Sequence, residues 1–298
     1  MLVRDPFSEY HPLVCFVFFG IVFCFSMLSM HPVCLLISLC ASVCYYICLK
    51  GAKAAGLLFK GALPVLLLTS IINPLFSHAG QTILWYFPSG NPLTLESILY
   101  GIAAGIMLAS VLVWFACFSV VMTSEKLVCL FGRFAPALSL LLSMTLRFLP
   151  RFKKQFDAVR ETQKAFGRDA SAGKLKIRIK TAILCFSAVV TRSLENAIDT
   201  SDSMKSRGYG IKRRKAYTIY RISERDKTML AVLLFCAVFF VNGGLSGSLS
   251  WRFYPNIRGV LTDPLTIVLE IVYCLFCFLP VILSRKEEWK WKHLRSNI

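Results

Sequence analysis

The chain has 298 residues, 56% of them hydrophobic and 17% charged, with a mean hydropathy of +0.62 and a net charge of +18. That is too apolar for an ordinary water-soluble domain. The 12 Cys lie mostly in apolar runs and the four His are scattered, which excludes a disulfide scaffold and a His-based metal spacing.

Six runs approach the roughly 17–25 apolar residues that a helix needs to cross a bilayer. The first two, about 12–30 and 32–49, are separated only by Met30-His31-Pro32, which predicts a tight helical hairpin. The N-terminal run has weak basic flanking and continues into a second span, unlike a cleaved signal peptide. The third run, 55–72, is interrupted by Lys60 and Pro64, and the fourth covers 97–122. The fifth and sixth, 226–244 and 264–284, follow a long charged segment. Cys274-x-x-Cys277 has a redox-motif spacing, but it sits inside the last run with no charged neighbour to lower a thiol pKa, so packing is its expected role. The fold class expected is an all-α polytopic membrane protein. Its one integrated domain comprises spans one to four (1–122), a cytosolic helical region (123–225), and spans five and six with a basic tail (226–298).

Basic residues set the orientation. Residues 123–228 hold 23 of the 34 Lys and Arg against 9 of the 16 Asp and Glu. Lys50 and Lys53 lie between runs two and three, and Arg285, Lys286, Lys290, Lys292 and Arg295 crowd the tail. Residues 73–96 contain no Lys or Arg but do contain Trp85, Tyr86 and Phe87, as an outer interfacial loop would. Only Arg252 and Arg258 break the pattern. Both termini are therefore expected on the cytoplasmic side of the cell membrane.

The charged segment opens with a short apolar stretch, Phe134 to Leu146, closed by Arg147-Phe148-Leu149-Pro150. Pro150 suits the first turn of a new helix, where its missing N–H costs nothing. Phe152, Phe156, Val159 and Phe166 then draw one stripe on that helix, and Gly167 ends it. Residues 174–180 alternate basic and apolar, a pattern shared by strands and helices. We read them as the start of a helix whose cations sit at lipid headgroups, worth about 1 kcal/mol each near an anionic leaflet. From Arg192 a second amphipathic pattern runs through Leu194, Ala197, Ile198, Ser201 and Met204, with Glu195, Asn196, Asp199 and Asp202 on the polar side. Gly208 is a good C′ residue, and Arg207 before it suits the negative helix end. Residues alone fit two helices lying on lipid as well as two levers that dock in a soluble partner.

The order Leu-Arg-Phe-Leu-Pro (146–150), an amphipathic helix with Glu-Thr-Gln-Lys-Ala (161–165), a Gly-Asp turn, and Arg192-Ser-Leu-Glu-Asn-Ala-Ile-Asp-Thr-Ser-Asp-Ser-Met-Lys-Ser-Arg-Gly-Tyr-Gly210 resembles the T component of energy-coupling factor (ECF) transporters. That family includes the cobalt-permease-type membrane subunits, and the resemblance is densest over 147–210. It implies a non-catalytic subunit, without cofactor or metal, of an ATP-driven importer for a micronutrient such as a vitamin or metal ion. Its partners would be membrane lipids, a substrate-binding S component and two ATP-binding-cassette ATPases, with no nucleic acid. Two cytosolic coupling helices would each end in an X-Arg-X motif seated in one ATPase. The second motif falls at Ser206-Arg207-Gly208. The first falls at Ala165-Phe166-Gly167, where this chain has Phe166 in place of the usual Arg, with Arg168 two positions on. Phe152, Phe156 and Val159, with Leu194, Ile198 and Met204, are the candidates for packing between the coupling helices or against the S component.

Two other classes stand beside this one. A membrane-bound lipid-modifying enzyme could use Asp199 and Asp202 as metal ligands, since i, i+3 spacing puts them on one helix face, with only Glu195 to join them. A scaffold could recruit a soluble protein without transport. No Gly-Lys-Ser/Thr phosphate loop is present, so any ATP hydrolysis belongs to a partner. Ionisable residues in the runs are few, chiefly Lys60 and Glu270, so the chain shows little sign of a substrate path of its own.

Overall fold

The computed structural model describes residues 5–86, 92–134, 136–167, 175–209, 222–259 and 263–296. The chain divides into two units, one formed by 1–123 with 220–298 and the other by 124–219.

The first unit is built from α1 (Pro12–Leu28), α2 (Pro32–Lys50), the short α3 (Ala54–Leu57), α4 (Leu63–Phe76) and α5 (Leu95–Val121). The second unit holds α6 (Ser124–Phe134), α7 (Pro136–Ala165) and α8 (Leu175–Ser206). The chain then returns to the first unit as α9 (Glu224–Leu245) and α10 (Pro264–Ser296). Two antiparallel ribbons, β1 (Ile83–Tyr86) with β2 (Pro92–Thr94) and β3 (Trp251–Arg252) with β4 (Arg258–Gly259), complete the first unit. Among the described residues five helical stretches are long and apolar enough to cross a membrane: Pro32–Lys50, Leu58–Phe76, Leu95–Val121, Glu224–Leu245 and Pro264–Glu287. The first run is α1, an apolar helix whose 17 residues stand at the short end of the spanning range. The protein is an all-α polytopic membrane protein.

Pro12 and Pro32 each open a helix at a position whose N–H would have no partner anyway, which gives the α1–α2 hairpin its sharp corner. Lys60 and Pro64 do not break the third span. A π-helical turn over Leu58–Ala62 leads into α4 and supplies the extra width that a proline ring demands of the preceding turn.

The core of this unit is aromatic. Phe7, Phe18, Phe19, Tyr45 and Trp114 are fully buried, with neighbouring ring centroids 5.0–6.4 Å apart. Trp114 Nε1 donates to Ser38 Oγ (3.0 Å), so the indole is buried without an orphan donor. Helices α4 and α5 meet through small residues. A Cβ on Gly101 would lie 3.0 Å from Ser70 O, and one on Gly105 2.8 Å from Leu66 O. Gly-x-x-x-Gly spacing puts both glycines on one face, and the backbones approach there.

Near the chain's N-terminus a short 3₁₀ turn (Pro6–Glu9) is tied across several helices. The Asp5 carboxylate accepts from Tyr45 Oη (2.6 Å) on α2 and from Ser284 Oγ (2.8 Å) on α10. Asp226 at the start of α9 accepts from the His11 backbone N–H (3.1 Å) and closes a capping box with Ser223. The Arg225 guanidinium lies 4.5 Å above the Tyr10 ring. Burial raises the Tyr10 pKa, and that guanidinium opposes the shift. At the other end of the bundle the fully buried His31 faces Glu270 (Nδ1 to Oε1, 3.2 Å), so this intramembrane carboxylate does not stand alone.

All twelve cysteines are thiols; Cys277 is buried and Cys274 half-buried among the apolar side chains of α10. Gly243 on α9 allows close approach by Leu269 of α10, whose Cδ1 would lie 2.6 Å from a Cβ there.

Candidate functional site

The second unit is dominated by two long helices. α7 has 30 residues and α8 has 32, lengths of about 45 and 48 Å at 1.5 Å per residue. Pro150 does not start a new helix, contrary to the sequence expectation. α7 runs unbroken from Pro136 to Ala165 with Pro150 inside it; residues 136–146 form its first turns, and Phe134 ends α6. One missing N–H and one displaced carbonyl cost about 3 kcal/mol in a helix interior. Here Leu149 and Pro150 are exposed, so the proline ring is not forced into a packed interior. The alternating stretch 174–180 is likewise helical from Leu175 onward and merges with the second amphipathic pattern into α8.

Both helices end in the same way. Gly167 has φ +75° and Gly208 has φ +73°, the left-handed region where a Cβ is strained. Gly208 N–H donates to Lys205 O (3.0 Å) and Tyr209 N–H to Met204 O (3.0 Å), the paired bonds of a Schellman cap. Gly167 N–H donates to Lys164 O (3.0 Å), the corresponding bond of the first tip. Each Gly therefore follows a C-cap residue at the extreme end of its helix, Phe166 in α7 and Arg207 in α8. Phe166 is 75% exposed, and Arg207 is exposed as well. Ala165 and Ser206, one residue back, are also exposed, with Ser206 Oγ bonded to Ser203 O (2.9 Å). Arg168 lies outside the described residues.

The two tips sit at opposite ends of the helix pair. Met144 and Phe148 of α7 line one groove together with Ala197, Thr200, Ser201 and Met204 of α8, and Tyr209 just beyond the cap. The Arg207 end thus lies beside Phe148, and from Phe148 to Phe166 α7 advances about 27 Å.

The stripe drawn through Leu194, Ala197, Ile198, Ser201 and Met204 divides in the structure. Ala197, Ser201 and the half-buried Met204 line the groove against α7. Leu194 (62%) and Ile198 (64%) are exposed, and they continue Ile179, Ile183, Phe186 and Val190, which are exposed too. On α7, Phe156 and Val159 are half-buried while Phe152 is exposed and stacks on Phe148 at 6.0 Å. A 100° step per residue is too coarse to separate two adjoining faces of one helix.

The acidic side of α8 is solvated. Glu195, Asp199 and Asp202 are exposed, and Asp202 pairs with Lys205 at 3.6 Å. Among the described residues no three His, Cys, Asp or Glu side chains are grouped to hold a metal ion.

The chain combines a set of apolar, membrane-spanning helices with two long helices that end in exposed, glycine-capped tips, which defines a class of polytopic membrane protein. The chain belongs to the cobalt transport protein family (CbiQ), which it matches over residues 4–218. It is similar to the "energy-coupling factor transporter transmembrane protein EcfT" of three bacteria. The protein of Exiguobacterium sibiricum is 29% identical over 105 residues, 35% of this chain and 40% of that relative. That of Listeria innocua is 33% identical over 115 residues, 38% and 40% of the two chains. That of Lactobacillus helveticus is 33% identical over 98 residues, 33% and 35%. The chain thus spans about two fifths of the length of these relatives.

Proposed function

We propose that this protein is the transmembrane coupling subunit of an ECF-type importer, with α7 and α8 as its coupling helices. The single observation carrying the proposal is the pair of exposed, glycine-capped tips about 27 Å or more apart along α7, a spacing suited to two separate ATPase subunits. The printed names of the relatives, and the family, support the same reading.

Arg207 is the docking residue of the second tip. Its planar guanidinium stays charged and offers a fork of donors to a carboxylate-lined groove, while Gly208 lets the backbone approach closely. At the first tip Phe166 enters the groove of the other ATPase as an apolar anchor, with Arg168 supplying the charge beside it. The difference between the tips suits two non-identical ATPases. The exposed Leu194, Ile198 and Phe152 meet the S component, and the half-buried Phe156, Val159 and Met204 hold the helices in register. ATP binding would draw the ATPases together and shift the tips, and the helices would pass that motion to the S component, which releases its cargo, a vitamin or metal ion, inside. The clusters of Lys and Arg in 123–228 and the tail support a reading with both chain ends in the cytoplasm and the bundle in the cell membrane.

The test is co-purification of tagged chain with its ATPases. Removing one partner of a desolvated charge pair costs about 2–5 kcal/mol, so Arg207→Ala should strip at least one ATPase from the complex. Arg214→Ala, in the basic run 212–215, should not. Equal retention of both ATPases by the two variants would sink the docking role.

A further inference from the structure

We propose that the β1–β2 hairpin is a membrane-interface anchor, its apolar strand seated at the boundary between headgroups and acyl chains of the outer leaflet. In β1 four apolar residues follow one another, and all four are exposed: Ile83, Leu84, Trp85 (71%) and Tyr86 (59%). A half-buried strand alternates between its faces. Here a bulge between Ile83 and Trp85 breaks the alternation, and the strand turns no side chain into the protein.

The base of the hairpin is the opposite of its strand. Thr82 N–H (3.2 Å) and Thr82 Oγ1 (2.6 Å) donate to the buried Glu96 carboxylate in the first turn of α5. Thr94 Oγ1 donates to Ala79 O (3.0 Å) and Ser97 Oγ to Ser77 O (2.6 Å). Gly80 is packed so closely that a Cβ would meet Glu96 Oε2 at 2.6 Å. These polar groups are consumed internally, and residues 73–96 carry no Lys or Arg and no acid besides Glu96. What β1 offers outward is therefore apolar and aromatic; the exposed Arg252 and Arg258 belong to the β3–β4 ribbon, between whose strands Tyr254 accepts from Ser77 Oγ (3.2 Å) at the hairpin's base.

Two observations select lipid and set the depth. Helix α4, which ends six residues before the strand, also finishes on exposed apolar side chains, Ile71, Ile72, Leu75 and Phe76, and Trp and Tyr favour the interfacial zone where a ring is half wetted. A two-stranded ribbon also has open edges. Bare backbone groups are not tolerated in hydrocarbon, so the strand stops at the headgroup boundary, where water reaches them. Because the base is bonded to α5, and α5 packs on α4 through Gly101 and Gly105, the anchor fixes the depth of that helix pair as a unit.

The test subtracts the tryptophan emission of Trp85→Phe from that of the parent chain, both reconstituted in phosphatidylcholine vesicles. The difference isolates Trp85 without disturbing the buried Trp114. Lipid brominated near the carbonyl end of its acyl chains should remove most of the difference emission, and iodide on both sides should remove little. Strong iodide quenching without bromolipid quenching would overturn the proposal by placing the strand in water. Protection from both quenchers would overturn it too, by showing that protein, such as a second copy, covers the strand. Neither outcome touches the coupling role proposed for α7 and α8.

Discussion

The membrane bundle and the pair α7–α8 use similar side chains for opposite ends. In the bundle, Phe7, Phe18, Tyr45 and Trp114 vanish into a shared core, and glycines bring the helices together. Along α7 and α8, Leu142, Leu149, Ile183, Phe186, Leu194 and Ile198 stand exposed. Apolar side chains buried within one's own fold stabilise that fold. The same residues left open along two long helices contribute little until something covers them. The bundle is thus expected to be self-sufficient in lipid, and the helix pair to be completed by partners.

The comparison can be broken most forcefully in the bundle. Trp114→Ala removes a fully buried ring and the Ser38 bond, and should cost about 3–5 kcal/mol, read as a lowered midpoint of thermal unfolding in detergent. Leu194→Ala with Ile198→Ala should leave that midpoint almost unmoved while weakening recovery of the S component. If the double variant unfolds like Trp114→Ala, the contrast between the regions is wrong. Next in size, Gly105→Leu forces a side chain against the Leu66 carbonyl and should destabilise by about 1–3 kcal/mol, with α4 losing protection in hydrogen exchange. Smaller again, Gly208→Ala puts a Cβ on a left-handed residue at a cost of about 1–2 kcal/mol, confined to the end of α8. It should reduce ATPase recovery without lowering the unfolding midpoint of the bundle. The smallest effect belongs to Lys205→Ala. Its pair with Asp202 is fully solvated, and such pairs contribute about 0–1 kcal/mol, so both unfolding and assembly should stay within error.

The spans were legible because bilayer thickness imposes a length and a composition that local sequence must satisfy. The tips were legible because a left-handed C′ position selects Gly, and Gly167 and Gly208 stand where the periodic patterns stop. Pro150 misled because proline is a strong local signal, yet an exposed helix can absorb it without breaking. The division of the α8 stripe needed the partner helix, since only the neighbour decides which of two adjoining faces is covered. The signal for the α4–α5 contact was present as Gly101-Ile-Ala-Ala-Gly105, but a small-residue pair does not say which helix it meets. The His31–Glu270 pair joins residues 239 positions apart and has no local signature.

The bonds that the N-terminal turn makes to α2, α9 and α10 carry a further consequence. The start of α9 is a staked point, for Ser223 and Asp226 finish that helix and Asp226 lashes it to the backbone of His11. A tug arriving there would tilt α9 as a rigid strut before it unwound the first turn, so displacement rather than slack would reach the far leaflet.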